Sequence, residues 1–540
     1  MITGCRLFNN FGNSQFPIFA AKLKDMNYKP LCLLPVFLIF YLPGLSQEPA
    51  PARIILEKAD SWTYNKEIRQ NVQRLIGNVI FSHDSAYLFC DSAYLFEADN
   101  RVATFGNVRV KLSDTLNLYA DSLRYDGNTK IAWANSNVRL IDNQTILTTD
   151  TLVYDRNTQI ARYDYWGKIV NDKNVLVSLH GYYYTDKKTF FFKDKVLLTH
   201  PDYAMHSDTL MYNTLTEVAY FYGPSNITSN DKQDSIYCEN GWYDTRLDLA
   251  RFREHSKIYH GAAMLTGDSL YYERKNGFGQ VFQDALLIDT VQNILLTGEY
   301  GEIKRQAGFA FMTDSALVTM VEKKDSLFMH ADTVWATFDT SQHIRDIHCY
   351  HKVRFFRQDI QGMSDSLVFH TADSALMMYK EPVLWSGPNQ LTADSIQLKL
   401  RDGQADSLKM FGSAFIISKD DSVRFNQIKG RNLLARFRDN QLYKVRVIGN
   451  AETIYYAREE DKTLIGINKA RSAEMLIFLE NNELSTITYI DKPEAHLYPE
   501  KQLPKQELRL RNFKWLEEKR PLKKADIFVW VSDPAPVREP

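Results

Sequence analysis

Asp followed by Ser or Thr recurs along this chain, as Asp91-Ser92, Asp121-Ser122, Asp150-Thr151, Asp208-Thr209, Asp268-Ser269, Asp365-Ser366 and Asp394-Ser395. A hydroxyl beside a carboxylate is raw material for nucleophilic catalysis, but a nucleophilic Ser also needs a base within hydrogen-bond reach. No His recurs in register with these pairs. The densest ligand-like cluster is His348-Cys349-Tyr350-His351, and on a strand its two His side chains point to opposite faces, which argues against a shared metal ion. Acidic turns such as Asp231-Lys232-Gln233-Asp234 and Asp142-Asn143-Gln144 lack the glycine-rich calcium phrase of β-rolls. Gly277-Phe278-Gly279 lacks the third Gly and the Lys of phosphate-cradling loops. The residues therefore indicate no catalytic site, metal or cofactor, and the Asp-Ser pairs need a structural explanation.

Their flanks supply it. Each pair sits in a phrase of a small residue, Asp, Ser or Thr, an apolar residue, any residue and often an aromatic, as in Ala120-Asp121-Ser122-Leu123-Arg124-Tyr125 and Thr149-Asp150-Thr151-Leu152-Val153-Tyr154. The step from Asp91 to Asp121 to Asp150 is about 30 residues, the scale of a repeat architecture in which each unit completes its neighbour's core. Leu116, Leu118 and Ala120 alternate as a half-buried strand requires, yet beyond Asp121-Ser122 the apolar positions are Leu123 and Tyr125. A change of parity inside a strand requires a bulge or corner, and Asp and Ser can bond backbone groups that a bend leaves unpaired. Asp126-Gly127-Asn128 then predicts a tight turn, Ile131 and Trp133 are read as inward residues of the return strand, and Asn135-Ser136-Asn137 as a second corner before Val138 and Leu140. Asp142-Asn143 turns the chain back.

Stacking such bent hairpins predicts an all-β fold, an elongated antiparallel β-jellyroll or V-shaped β-trough. A parallel β-helix is the nearest alternative, but one-way coils have no use for a hairpin turn between strands. Irregular stretches near Phe190-Phe191-Phe192, Gly223-Pro224 and Lys380-Glu381-Pro382 divide the array into as many as three stacks.

The 540 residues carry 65 Lys plus Arg against 66 Asp plus Glu, a balance that argues against a nucleic-acid partner. Residues 1–46 read as an N-terminal extension and a secretory signal, starting at Met1 or Met26, with the apolar run Leu31 to Tyr41 and cleavage after Ser46. No later apolar run suffices for a membrane helix, so the mature chain is expected to be soluble. Its three cysteines, Cys90, Cys238 and Cys349, are too irregularly spaced for a disulfide framework or a zinc site and are expected to fill core space. Residues 47–490 form the repeat array. In residues 491–540, Pro493, Pro499, Pro504, Pro521 and Pro534 break the pattern, which predicts a capping segment and a tail.

Leu123, Tyr125, Ile131, Trp133, Val138, Leu140, Leu152, Tyr154, Leu210, Tyr212, Leu270 and Tyr272 would line one interior along the stack. A packed core accounts for them as a structural or adhesive scaffold would use it; splayed sheets would instead leave an apolar groove for acyl chains, each buried methylene contributing about 0.8 kcal/mol. Periodicity leaves both open.

The repeat phrases, joined by Asn135-Ser136-Asn137-Val138-Arg139-Leu140, with Lys492-Pro493-Glu494-Ala495-His496-Leu497-Tyr498-Pro499 and Phe513-Lys514-Trp515 near the end, resemble the OstA-like family over about Ile54 to Arg520. This group includes LptA and the soluble N-terminal domain of LptD. The resemblance implies a non-enzymatic periplasmic protein, reaching to the outer membrane, that shelters the acyl chains of lipopolysaccharide. It also implies end-to-end strand addition to an LptD-like barrel and to inner-membrane Lpt components. The family offers no catalytic residue to carry over.

Overall fold

The computed structural model describes residues 52–530 except 65–71, 233, 262, 323–324, 440, 460 and 481–482. The expected secretory signal lies outside the described residues. The fold is nearly all antiparallel β, an elongated jellyroll built as one long sheet in which each strand pairs chiefly with the strands before and after it. Every pairing among the described residues is antiparallel, so the one-way coils of a β-helix are excluded.

The unit is a pair of bent strands such as Leu116–Asp126 and Ile131–Asp142. Tyr119 faces Arg139 and Ser122 faces Asn135, with a register shift between them. Two residues of the return strand, Ser136 and Asn137, bulge opposite Asp121, both at positive φ (62° and 52°). Asn137 closes the corner by donating its Nδ2 to Asp121 Oδ2 at 2.6 Å. The same contact links Asn107 to Asp91 at 2.8 Å and Asn78 to Asp60 at 2.6 Å. Asp in the repeat phrase is therefore an acceptor for a left-handed Asn across the corner, and Asn is the non-glycine type that adopts this conformation most readily. Gly106, at φ 75°, has no such freedom to change, because a Cβ there would fall 2.4 Å from Asp91 Oδ2.

The extra bulge residue corrects the expected facing of the return strand. Inward positions on the outbound strand run Leu116, Leu118, Ala120 and then Leu123, Tyr125, a change of parity. On the return strand they run Ala132, Ala134, Val138, Leu140, with no change. Two residues opposite one absorb the shift on that side. Ala134 and Ala132 lie opposite Leu123 and Tyr125, whereas Trp133 is 39% exposed and Ile131 half-buried, so both face outward and not into the core.

Turns at the strand ends use the same chemistry. Asp126 Oδ1 accepts the backbone N–H groups of Asn128 and Thr129, and Asn128 Nδ2 donates to the Asp99 carbonyl of the preceding turn at 2.9 Å. Each hairpin tip is thus tied to its neighbour. Hydrogen bonding also runs unbroken through the three irregular stretches: Phe190, Phe191 and Phe192 pair in mid-strand, Gly223-Pro224 is the bulge of strand Val218–Ser229, and Lys380-Glu381 is a left-handed corner doublet. One apolar cluster extends from Leu75 to Ile477. Cys90, Cys238 and Cys349 are buried and unbridged in it, and burial pushes each thiol up to about 12, which removes thiolate reactivity at neutral pH.

The described part of the C-terminal segment packs on the array. Residues 499–530 run back as a strap over the outer face of the later strands, and three buried glutamines hold it. Gln427 Nε2 donates to Leu508 O at 2.9 Å while its Oε1 accepts Leu510 N–H at 2.8 Å. Gln390 does the same to Lys514 O (2.7 Å) and Leu516 N–H (2.6 Å). Gln361 Oε1 receives Nε and Nη2 of Arg520. A glutamine amide offers both an NH2 donor and a carbonyl acceptor, so it pairs with a passing backbone much as another strand would. Below the strap, Leu510 seals Phe415, Ile417, Ile454, Tyr456 and Ile467, and Leu516 packs on Met363, Val383 and Trp385.

Candidate functional site

The interior was expected to be either a groove or a filled core, and the twelve candidate residues divide. Val138, Leu140, Leu152, Leu210, Tyr212, Leu270 and Tyr272 are at most 2% exposed and pack within the continuous core. Ile131 and Trp133 are outside, for the register reason given above. Leu123, Tyr125 and Tyr154 converge on a small apolar cavity of about 30 Å³ near the N-terminal end of the array. Its walls are completed by Phe81, Leu88, Val102, Val110, Leu118 and Ala132, and by Ile54 and Leu112 at the edge. That is room for about two water-sized groups, well below the about 300–1,000 Å³ of small-molecule pockets, so an acyl chain would have to part the strands to enter.

The register creates this space. Ala132 and Ala134, opposite Leu123 and Tyr125, are small, so the return strand contributes little volume where the outbound strand contributes a Leu and a Tyr. Further along, aromatic inward residues fill the corresponding positions: Phe190 and Phe192 are fully buried, and Phe190 stacks on Tyr183 with ring centroids 4.0 Å apart.

One wall of the cavity is polar. His83 Nδ1 lies 2.7 Å from Tyr125 Oη, and Arg156 Nη1 donates to Tyr125 Oη (3.0 Å) and to His83 O (3.2 Å). Asp84 joins Lys130 at 2.8 Å and Arg156 at 3.8 Å. The hydrogen bond from Lys130 holds the Asp84 carboxyl below its ordinary value, against a smaller opposing effect of burial, with the charges of His83, Lys130 and Arg156 adding to it. Burial raises the Tyr125 hydroxyl, opposed by Arg156. Lys130 and Arg156 against Asp84 leave a surplus of positive charge beside an apolar void. That arrangement suits an amphiphile with an anionic head.

Other sequence candidates fall into place. His348 faces outward opposite Trp335 and Val368, Cys349 is fully buried, and His351 sits in a left-handed corner doublet 3.3 Å from Asp365. They do not converge, and among the described residues no group of His, Cys, Asp or Glu could hold a metal ion. Among the described residues no helix is long and apolar enough to cross a membrane. Sequence reasoning missed the glutamine clasps. Their signal was loss of alternation: Ala414-Phe415-Ile416-Ile417 and Val383-Leu384-Trp385 are buried at every position, because alternate residues face the core and the strap.

Bent antiparallel strands in one continuous stack around an apolar interior define a β-jellyroll trough. The model of the family described as OstA-like protein matches residues 51–208 and 216–332, just over half of the chain, and the chain belongs to that family. Among solved structures it is similar to LptH of Pseudomonas aeruginosa, the LptA homologous periplasmic component of the lipopolysaccharide transport device, at 13% identity. That match covers 26% of this chain and 100% of the other, with a TM-score of 0.21, too low to carry an argument. No curated protein matches the sequence.

Proposed function

We propose that this chain is a non-enzymatic periplasmic bridge in lipopolysaccharide transport to the outer membrane, holding acyl chains of the lipid against its apolar interior. The observation that carries the reading is the small apolar cavity on Leu123, Tyr125 and Tyr154 with Arg156 and His83 in its wall, and Lys130 joined to Arg156 through Asp84 beside it, in a chain of the OstA-like family. Methylenes entering it would contribute about 0.8 kcal/mol each, and a phosphate could replace Asp84 as the partner of Lys130 and Arg156. The end strands supply the means of assembly. Ile55–Lys58 with Ser61–Tyr64 at one end and Glu483–Ile490 with Glu494–Tyr498 at the other each pair on one side only among the described residues, leaving edges for strand addition to a barrel or an inner-membrane partner.

The test is mass spectrometry of lipid co-purifying with the full-length protein from an envelope extract. Lipid A acyl chains should be recovered with the wild type and lost with Ala86→Leu, which fills the cavity with apolar atoms, and with Arg156→Gln. Recovery of no lipid from a folded wild type, or equal recovery from all three proteins, refutes the proposal. A closed-core scaffold is the second reading, favoured by the sealing of Leu140, Leu152, Leu210 and Leu270, and it expects no lipid in any preparation.

A further inference from the structure

The outer face of the same strands carries a second cleft, open to solvent and of about 920 Å³, beside the corner. Register places its charges. Arg109 lies opposite Tyr119, Tyr119 opposite Arg139, Arg139 opposite Thr148 and Thr148 opposite Lys168. With neighbouring strands about 4.8 Å apart, the three cations stand in one row at steps of roughly 10 Å. The guanidinium groups of Arg109 and Arg139 sit 5.9 and 5.4 Å from the Tyr119 ring centroid, so the tyrosine positions both. Arg109 also donates to Asn117 Oδ1. Among the described residues none of the three cations forms an ion pair, whereas Arg101, Arg162, Arg345 and Arg446 elsewhere in the array each do.

At one end of the row stands Trp166, 41% exposed and at φ 41°. Positive φ is a genuine outlier for a bulky side chain, and such residues persist where the surroundings fix them, often at binding sites. Here Thr149 Oγ1 donates to Trp166 O at 2.9 Å, and the next residue, Gly167, has no room for a side chain because a Cβ would lie 2.4 Å from the Tyr163 ring. The indole is thereby held out at the cleft. Asp121, already bonded by Asn137, and Asp150 line the corner side.

We propose that this cleft binds an acidic oligosaccharide. Arg109, Arg139 and Lys168 pair with its spaced carboxylate or phosphate groups, Trp166 gives a stacking platform for a sugar ring, and Asp121 and Asp150 accept hydrogen bonds from hydroxyls. The two carboxylates count against a dense polyanion such as nucleic acid, and the chain has no basic excess. Since Arg109 and Arg139 point away from the core that Val108, Val110 and Val138 enter, the site is on the opposite face from the apolar cavity, and its test does not depend on lipid binding.

Calorimetric titration of the full-length protein with tetragalacturonate tests it, alongside neutral maltotetraose, inorganic phosphate and a single-stranded oligonucleotide. Saturable, salt-sensitive binding is expected for the acidic sugar alone. Arg139→Gln and Trp166→Ala should each weaken it about tenfold or more, the scale of one lost charge-assisted or stacking contact, with near-ultraviolet circular dichroism confirming the fold. Arg124→Gln, on the other limb of the strand that carries Tyr119, should leave it unchanged. The proposal is overturned if the folded wild type ignores tetragalacturonate, if maltotetraose, phosphate or the oligonucleotide binds as tightly, or if Arg139→Gln and Lys168→Gln both bind as the wild type does.

Discussion

Replacing Gln390 by Leu isolates what holds the strap. The side chain is fully buried, and it makes a donor and an acceptor bond to one stretch of passing backbone, at 2.7 and 2.6 Å. Leucine keeps a similar volume but leaves Lys514 C=O and Leu516 N–H facing an apolar group. Each orphaned buried backbone group costs about 1–3 kcal/mol, so a strap that stayed seated would lose about 2–6 kcal/mol. Lifting off lets water satisfy both groups, but uncovers Met363, Val383 and Trp385 beneath Leu516 and strains the neighbouring seal of Leu510 over Phe415 and Ile417. The lower of these two routes sets the observed effect, which we place at about 2–4 kcal/mol against local opening of residues 508–520. Hydrogen exchange resolves it: the amides of Leu510 and Leu516 should lose protection in Gln390→Leu, while that of Val281, in the fully buried core well before the strap, keeps its own. Gln397→Leu on the next strand in sequence, Ser395–Arg401, outside the clasp, serves as control. Unchanged protection at Leu516, with a stability change below about 0.5 kcal/mol, would refute the reasoning.

The corner rule predicts that Asn78→Val, which forces a β-branched residue to φ 45° and removes the bond to Asp60, costs about 1–2 kcal/mol in denaturant titration, whereas Asn78→Gly is nearly neutral. The corrected register predicts that Trp133→Ser changes stability little, while Ala134→Leu, one residue on and 1% exposed, costs about 1–3 kcal/mol by overpacking; equal effects would contradict the assigned facing. For Asp84, whose folded pKa is depressed, the stabilising contribution is fully present above its unfolded value of about 3.9 and is lost as pH falls through the folded value. The stability gap between wild type and Asp84→Asn should therefore be constant near neutrality and close in acid, and a gap that widens as pH falls would show the wrong sign.

Much of this protein was legible in its residues. The Asp-Ser phrase at about 30-residue spacing, the parity change from Ala120 to Leu123 and the Asp126-Gly127-Asn128 turn are local properties, and they led to bent antiparallel hairpins stacked in one array. The structural role of the Asp-Ser pair was legible too, because a pair that recurs at successive bends is explained by the bend. Which way the return strand faces was not. Ile131-Ala132-Trp133-Ala134 reads as a strand with its large residues inward, and only the two-for-one bulge at Ser136-Asn137, a property of pairing between strands, sends Trp133 out and Ala134 in.

What the tertiary structure alone decided lies beyond the reach of periodicity. Whether an inward side chain meets a neighbour or a void depends on its cross-strand partner, so Leu152 is sealed while Leu123 and Tyr154 border a cavity. The row of Arg109, Arg139 and Lys168 spans sixty positions and exists only once the strands are in register. The strap joins Gln390 to Leu516 across 126 residues. A sequence fixes its alternation locally, through the geometry of one strand; contacts between distant strands are set by packing, where volumes and hydrogen-bond partners from far along the chain must be matched at once.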